Sequence, residues 1–272
     1  MTYYKLIIIL CCLWFGSGCA KKMAPSATNY QTADLRVLCY NIHHANPPSR
    51  PGLIDLQAIA NVINREQPHL VALQEVDVYT GRSGKTSNQA EELARMTGMK
   101  AFFAKAIDYD GGDYGVAILS KLPMEDMKNT NLPTAVGTGG EPRTLATAVI
   151  TLPQGKKILF ASTHLDAQRS DTNKLLQIKK ITEFFQDEKL PVIIAGDFNA
   201  VPNSSVINIL DKSFTRTCIS NCGSTVPVIN PIRIIDFIAY SPADKFTVTE
   251  HKVIDEKYAS DHLPVLSLLK LK

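Results

Sequence analysis

The sequence has little that would declare a partner by composition alone. Its 272 residues carry 29 Lys and Arg against 26 Asp and Glu, a net charge of +3. That near balance excludes the strong field of a dedicated polyanion binder. No basic run exceeds two residues, and pairs such as Lys156-Lys157 and Lys179-Lys180 read as solvated faces. Gly and Pro number only 15 each, which rules out collagen-like and low-complexity chains. Charged residues amount to 20% and hydrophobic ones to 45%, so the chain is globular and not disordered. No Gly-x-Ser-x-Gly elbow supports a serine hydrolase. No Gly-x-x-x-x-Gly-Lys-Ser/Thr loop supports a P-loop nucleotide hydrolase, and Gly111-Gly112 is too short to cradle a phosphate chain. His43-His44 lacks the i, i+4 spacing and the paired Glu of a zincin.

Cysteine is sparse beyond the N-terminus. Of six cysteines, Cys11, Cys12 and Cys19 fall within the first 20 residues. Cys39 sits in an apolar run and reads as an inert buried thiol. Cys218 and Cys222, beside Asn221 and Gly223, would be free to form a local disulfide in an oxidising compartment. With no second cysteine pair and no histidine near them in sequence, zinc is disfavoured there.

What is present begins with an address. Lys5 precedes the apolar run Leu6–Phe15, too short to span a bilayer but suited to a signal-peptide core. Gly16, Ser17, Gly18 and Cys19 follow. Ser-Gly-Cys resembles the end of a bacterial lipoprotein box, in which the cysteine is lipidated, although Gly16 stands where an aliphatic is usual. Cleavage after Ala20 and simple secretion is the alternative. Residues 1–20 are therefore read as signal peptide or lipobox and 21–33 as a polar linker. The expected protein is exported, anchored to a membrane through Cys19 or secreted, and monomeric. Residues 34–272 are expected to form one domain, although length alone would allow two.

Short runs rich in Val, Ile and Leu recur through that region, separated by turns or helical patterns. Strands are expected at Leu35–Tyr40, Leu70–Leu73, Val116–Leu119, Leu145–Leu152, Lys157–Ser162, Val192–Ala195, Ile234–Ala239 and Leu263–Leu269. Helices are expected at Ile54–Arg65, at Ala90–Met96 ending at Gly98, and at Thr172–Phe185. The last should face inward with Leu175, Leu176, Ile178, Ile181 and Phe184 or Phe185.

Polar residues flank these strands in two ways. Four runs finish in one: Asn41, Glu75, His164, and Asp197 with Asn199. Four begin with one: Tyr114, Arg143, Asp236, and Asp261-His262. If all meet at one edge, the two sets of strands run in opposite directions. A TIM barrel or doubly wound fold gathers its site only at carboxyl ends of strands, so both are disfavoured. Two packed mixed or antiparallel sheets with helices outside are the economical arrangement.

Carboxylates and amide oxygens are hard ligands suited to Mg2+, Mn2+ or Ca2+. Histidines beside such a centre suit phosphoryl chemistry, where a metal polarises the phosphoryl oxygens and a positioned base prepares water. Each residue alone has a bland reading. Gly196-Asp197-Phe198-Asn199 could be a plain turn, Glu75 a solvated charge, Asn41 a strand cap and Arg143 a surface ion-pair partner. Their coincidence is the stronger signal.

Together they resemble the endonuclease/exonuclease/phosphatase superfamily. The resemblance rests on Leu38-Cys39-Tyr40-Asn41, Leu73-Gln74-Glu75-Val76-Asp77, Tyr114-Gly115-Val116-Ala117-Ile118-Leu119-Ser120, Thr163-His164-Leu165, Gly196-Asp197-Phe198-Asn199, Ile235-Asp236-Phe237-Ile238 and Ser260-Asp261-His262-Leu263-Pro264-Val265, in the family's order. It implies an α+β four-layer αββα sandwich, like deoxyribonuclease I. It also implies roles. Glu75 would be the principal metal ligand, with Asn41 and Asp261. Asp197 would position or deprotonate water, and Asn199 would bind developing charge. His262, oriented by Asp236, would be base or stabiliser, and His164 would contact the scissile phosphate. Tyr114 and Arg143 would be phosphate contacts.

The expected substrate is a phosphodiester, nucleic acid first, with a lipid headgroup or phosphomonoester as alternatives. The Pro-x-Trp-Cys-Asp-Arg segment of inositol-polyphosphate phosphatases is missing, and the single Trp is Trp14. Ile42-His43-His44-Ala45 departs from abasic-site endonucleases. Thr163-His164-Leu165-Asp166-Ala167 is similar to a short stretch of secreted sphingomyelinases. A silent binding lipoprotein on the same fold is the non-enzymatic alternative.

Overall fold

The strands form because their apolar residues serve two faces at once. A computed structural model describes Met1, Tyr3 and residues 35–272. The leader, the lipobox with Cys19 and the linker expected at 21–33 otherwise lie outside the described residues. In strand β1 (Leu35–Asn41), Val37 and Cys39 point into one core while Leu38 and Tyr40 point into another. Strand β2 (Leu70–Val78) divides Leu70 and Ala72 from Val71 and Leu73 in the same way. Strand side chains alternate with period two, so a strand buried on both faces reads as a continuous apolar run.

Among the described residues twelve strands make two mixed sheets of six. The first orders β11 (Phe246–Val253), β12 (Val265–Leu271), β1, β2, β4 (Gly112–Ser120) and β3 (Lys100–Tyr109). The second orders β5 (Met124–Leu132), β6 (Arg143–Thr151), β7 (Lys157–His164), β8 (Val192–Asp197), β10 (Asp236–Ser241) and the two-residue β9 (Thr215–Arg216). A central core that includes Ile118, Ile150, Phe160, Ile193 and Ile238 lies between the sheets. Helices α1 (Leu56–Glu66) and α2 (Gln89–Thr97) cover the outer face of the first sheet. Helices α3 (Thr172–Phe184) and α4 (Ser205–Ser213) cover that of the second. The result is the expected αββα sandwich.

Local signals start and stop these helices. The Asp55 carboxylate accepts from Ala58 N at the start of α1, and Asn88 and Ser204 cap α2 and α4 likewise. Gly98 closes α2 in the left-handed conformation, as expected. Helix α3 departs from expectation at one position, for Leu176 is 38% exposed. Its buried stripe instead includes Asn173, Lys174 and Gln177. Asn173 Nδ2 donates to Asp166 Oδ2 at 3.1 Å, Gln177 Oε1 accepts from Asp166 N at 2.8 Å, and Lys174 Nζ donates to Gln168 O at 2.7 Å. That face secures the loop after β7, and hydrogen-bonding side chains take the place of leucine.

Strands β7 and β8 approach so closely that Gly196 has no room for a side chain. A Cβ there would stand 2.2 Å from the Thr163 carbonyl oxygen. Gly196→Ala is therefore expected to destabilise the protein by about 1–3 kcal/mol through forced strand displacement. The midpoint of chemical denaturation reads this directly, and an unchanged midpoint would refute it.

Candidate active site

Strand direction assembles the site. β1 runs parallel to β2, and β7 parallel to β8. β12, β4, β6 and β10 each run antiparallel to one of those four. The runs that finish in a polar residue and the runs that begin with one therefore do lie in opposite directions, and their functional ends share one edge of the sandwich.

Asp197, at the end of β8, is the centre. Its Oδ2 accepts from Asn41 Nδ2 at 3.1 Å and lies 3.5 Å from His164 Nε2 and 3.7 Å from His262 Nε2. Its Oδ1 accepts from Asn199 N at 2.8 Å, with Asn199 in a left-handed conformation. The Gly196–Asn199 segment is thus a turn, and it also carries Asp197 and Asn199 into the candidate site. Asp236 faces Asp197 across β8 and β10, and its Oδ2 lies 2.9 Å from His262 Nδ1. Ser260 holds the approach to His262 by donating Oγ to Asn41 O at 2.7 Å.

Asn41 ties the two sheets together, because Nδ2 also donates to Glu75 Oε1 at 3.0 Å. Asn41 Oδ1, the atom that could meet a cation, accepts from His43 N at 3.1 Å. Glu75 sits where the β2–β4 register shifts between Leu73 and Val76, with φ at 57°. Such a bulge re-aims a side chain. Arg143 NH1 lies 2.7 Å from Glu141 Oε1 and 3.4 Å from His164 Nδ1. Arginine and the Asn199 amide nitrogen both donate, so the two His164 ring nitrogens each face a donor, and Nε2 faces the Asp197 carboxylate as well. Asn199 Nδ2 lies 3.0 Å from that Nε2 and donates to Leu165 O at 3.0 Å. The Arg143 guanidinium also lies close to the Tyr114 phenol.

Burial and charge set the protonation states. Burial, then the charge of Asp236, pushes the Asp197 carboxyl up to about 7, against the opposing effects of His262, Asn199 and Asn41. Burial pulls the His262 imidazole down. Asp236 by charge and hydrogen bond, then Asp197 and Asp261, outweigh it and push the imidazole up to about 10. Burial and Arg143 hold His164 well below its ordinary value, favouring the neutral ring. Burial would raise Glu75, but His44, His164, Asn41 and His43 pull it well below the usual carboxylate range. Burial, then the Glu75 charge, raises the Tyr114 phenol.

Among the described residues two clusters could hold a cation: His43, His44 and Glu75, and Asp197, Asp236 and His262. The second is already consumed by its own His–Asp hydrogen bonds. The first contains an orphan, for His44 Nδ1 is buried without a hydrogen-bond partner 3.9 Å from Glu75 Oε2. A divalent ion therefore fits best at Glu75. Asp261 belongs to neither cluster, and its Oδ1 faces Ser260 Oγ at 3.4 Å. The gathering of His43 and His44 on Glu75 was not legible in the sequence, since His44 and Glu75 are separated by 75 − 44 = 31 positions of chain that must be folded first. Gln89, which donates Nε2 to His44 O at 2.7 Å across 45 positions, left no signal at all.

A two-sheet sandwich bearing carboxylates, amides and histidines along one edge of its strands is the architecture of a metal-dependent phosphoric ester hydrolase. The chain belongs to the Endonuclease/Exonuclease/phosphatase family, whose sequence model matches residues 38–262. Among solved structures it is similar to an endonuclease/exonuclease/phosphatase from Beutenbergia cavernae, at 25% identity and TM-score 0.72, covering 88% of this chain and 72% of that one. It is similar in fold to a mannosyl-6-phosphatase from Bacteroides thetaiotaomicron, at 19% identity and TM-score 0.69, over 86% and 99%. The human Nocturnin catalytic domain shares the fold at 20% identity and TM-score 0.69, over 88% and 94%. No curated protein sequence matches significantly.

Proposed function

We propose that this protein is an exported phosphodiesterase dependent on Mg2+ or Mn2+, with Ca2+ as a further candidate. The observation that carries the reading is the convergence of Asn41, His164 and His262 on Asp197 Oδ2, within 3.1, 3.5 and 3.7 Å. Glu75, with Asp261 and Asn41 as further expected ligands, would hold the ion, which when bound polarises a phosphoryl oxygen. Asp197 receives the proton of the attacking water, since a carboxyl raised toward neutrality is matched to that task. Asp236 orients His262 and keeps it cationic beside the phosphate. His164 contacts the scissile phosphate beside the leaving oxygen, while Asn199, Tyr114 and Arg143 contact the phosphate.

Export is supported by the disulfide Cys218–Cys222, a bond that persists in oxidising compartments. The leader supplies the address, with lipidated Cys19 as the membrane anchor and simple secretion as the alternative.

Activity on bis(p-nitrophenyl) phosphate is expected to vanish with chelator and return with Mg2+ or Mn2+. Undiminished turnover in chelator would refute metal dependence. The same assay run on plasmid DNA, RNA, sphingomyelin and a simple phosphomonoester separates the substrate classes. A nuclease activity should fall as salt rises, because phosphate contacts release counterions.

A further inference from the structure

The segment after β1 is the most strained in the described chain. His43, His44 and Ala45 are consecutive non-glycine residues with φ of 48°, 44° and 60°, and Glu75 opposite has φ of 57°. Left-handed backbone at such residues costs on the order of 1–3 kcal/mol each and persists where surroundings enforce it. Here they do. Gln89 Nε2 donates to His44 O at 2.7 Å, and Asp55 N donates to Ala45 O at 2.7 Å. The product of this strain is the placement of one ring nitrogen each from His43 and His44 and one Glu75 oxygen, all within 4.8 Å of one another.

The tautomers suit ligation. His43 Nδ1 lies 2.8 Å from Asn46 O. A carbonyl only accepts, so Nδ1 carries the proton and Nε2 keeps the lone pair, the arrangement that a backbone carbonyl imposes on metal-binding histidines. His44 Nδ1 is buried and unpartnered beside Glu75. A buried nitrogen left without hydrogen bond in a fully constrained turn calls for a partner. Donors about 2.0–2.2 Å from a common ion stand a little over 3 Å apart, so the cluster needs only modest closure.

We infer that His43 and His44 join Glu75 as ligands to one divalent ion, making a two-histidine, one-carboxylate site that favours Mn2+ through Zn2+ over Mg2+ and Ca2+. The inference rests on the reading above for placing an ion at Glu75 and identifies its class. Imidazole nitrogen suits transition ions, whereas Mg2+ and Ca2+ are held by oxygen.

The test measures binding of the metals alone to the full chain, by calorimetry with Mg2+, Mn2+ and Zn2+. Zn2+ exceeds Mg2+ at most sites, so the variants decide. His43→Asn and His44→Asn keep a side chain tolerant of left-handed backbone while removing the imidazole, and circular dichroism confirms that they fold. If either does not fold, pulsed electron paramagnetic resonance of the Mn2+-loaded wild type decides alone, through 14N coupling to imidazole. Each variant is expected to lose at least about tenfold in Zn2+ and Mn2+ affinity, since loss of even an outer-shell partner costs that much, with Mg2+ affinity little changed. Unchanged Zn2+ and Mn2+ affinity, equal loss for Mg2+, or absence of 14N coupling overturns the inference. Glu75→Gln separates the two readings. If it abolishes binding while the histidine variants do not, the ion at Glu75 stands and the histidine ligands fall. If it leaves binding intact, the placement at Glu75 itself falls.

Discussion

Replacing Asp197 with Asn is expected to lower kcat on a phosphodiester by roughly 10²–10⁴-fold, the contribution of a positioned proton acceptor. The substitution keeps the size of the side chain and removes its charge and basicity. It also removes the acceptor that Asn41, His164 and His262 share at Oδ2. His262→Ala is expected to cost a comparable factor, because it deletes the cation that Asp236 holds beside Asp197. The double variant should be little worse than the worse single one, since groups that act as a unit are not additive. Single-turnover and steady-state kinetics on bis(p-nitrophenyl) phosphate check this. Retention of more than about a tenth of wild-type kcat in both single variants would place the chemistry elsewhere, being well outside that range.

The second large effect is on stability. Asp77 is fully buried and accepts from Arg82 Nε at 2.7 Å and NH2 at 2.9 Å, from Ser83 Oγ at 2.6 Å and from Thr80 Oγ1 at 2.9 Å. Arg82 also lies 4.3 Å over the Tyr109 ring and 5.5 Å over that of Tyr114, so the network reaches the edge of the candidate site. Asp77→Ala leaves two hydroxyls and a guanidinium without their acceptor. Breaking a buried pair costs about 3–5 kcal/mol, and the lower end applies because Arg82 keeps access to water. In a domain of this size that lowers Tm by roughly 6–12 °C. Calorimetry reads it, and a shift below about 2 °C, under 1 kcal/mol on the same scale, would show that the loop relaxes around the loss.

Legibility in the sequence followed burial. Every strand foreseen lies inside a sheet, where both faces need apolar residues. The four strands that escaped notice, β3, β5, β9 and β11, are the four sheet edges. Edges carry charges such as Lys105, Glu125, Asp126 and Lys252, which discourage pairing with other chains and erase the apolar run. Helix α4 escaped as well, although Ser204 as its cap and the spacing of Val206, Ile207 and Leu210 were there to be read.

By itself the sequence determined the layered class, the opposed strand directions and the family, because a residue beside a buried strand is placed by that strand wherever it packs. Only the tertiary structure decided which groups touch. Asn41 reaches Asp197 across 156 positions, Ser260 reaches the Asn41 carbonyl across 219, and His44 turns onto Glu75 through left-handed residues that no apolar pattern encodes. Local pattern reports the environment of a residue's own element. Contacts between elements depend on how the two sheets pack, and that is settled only when the whole core is assembled.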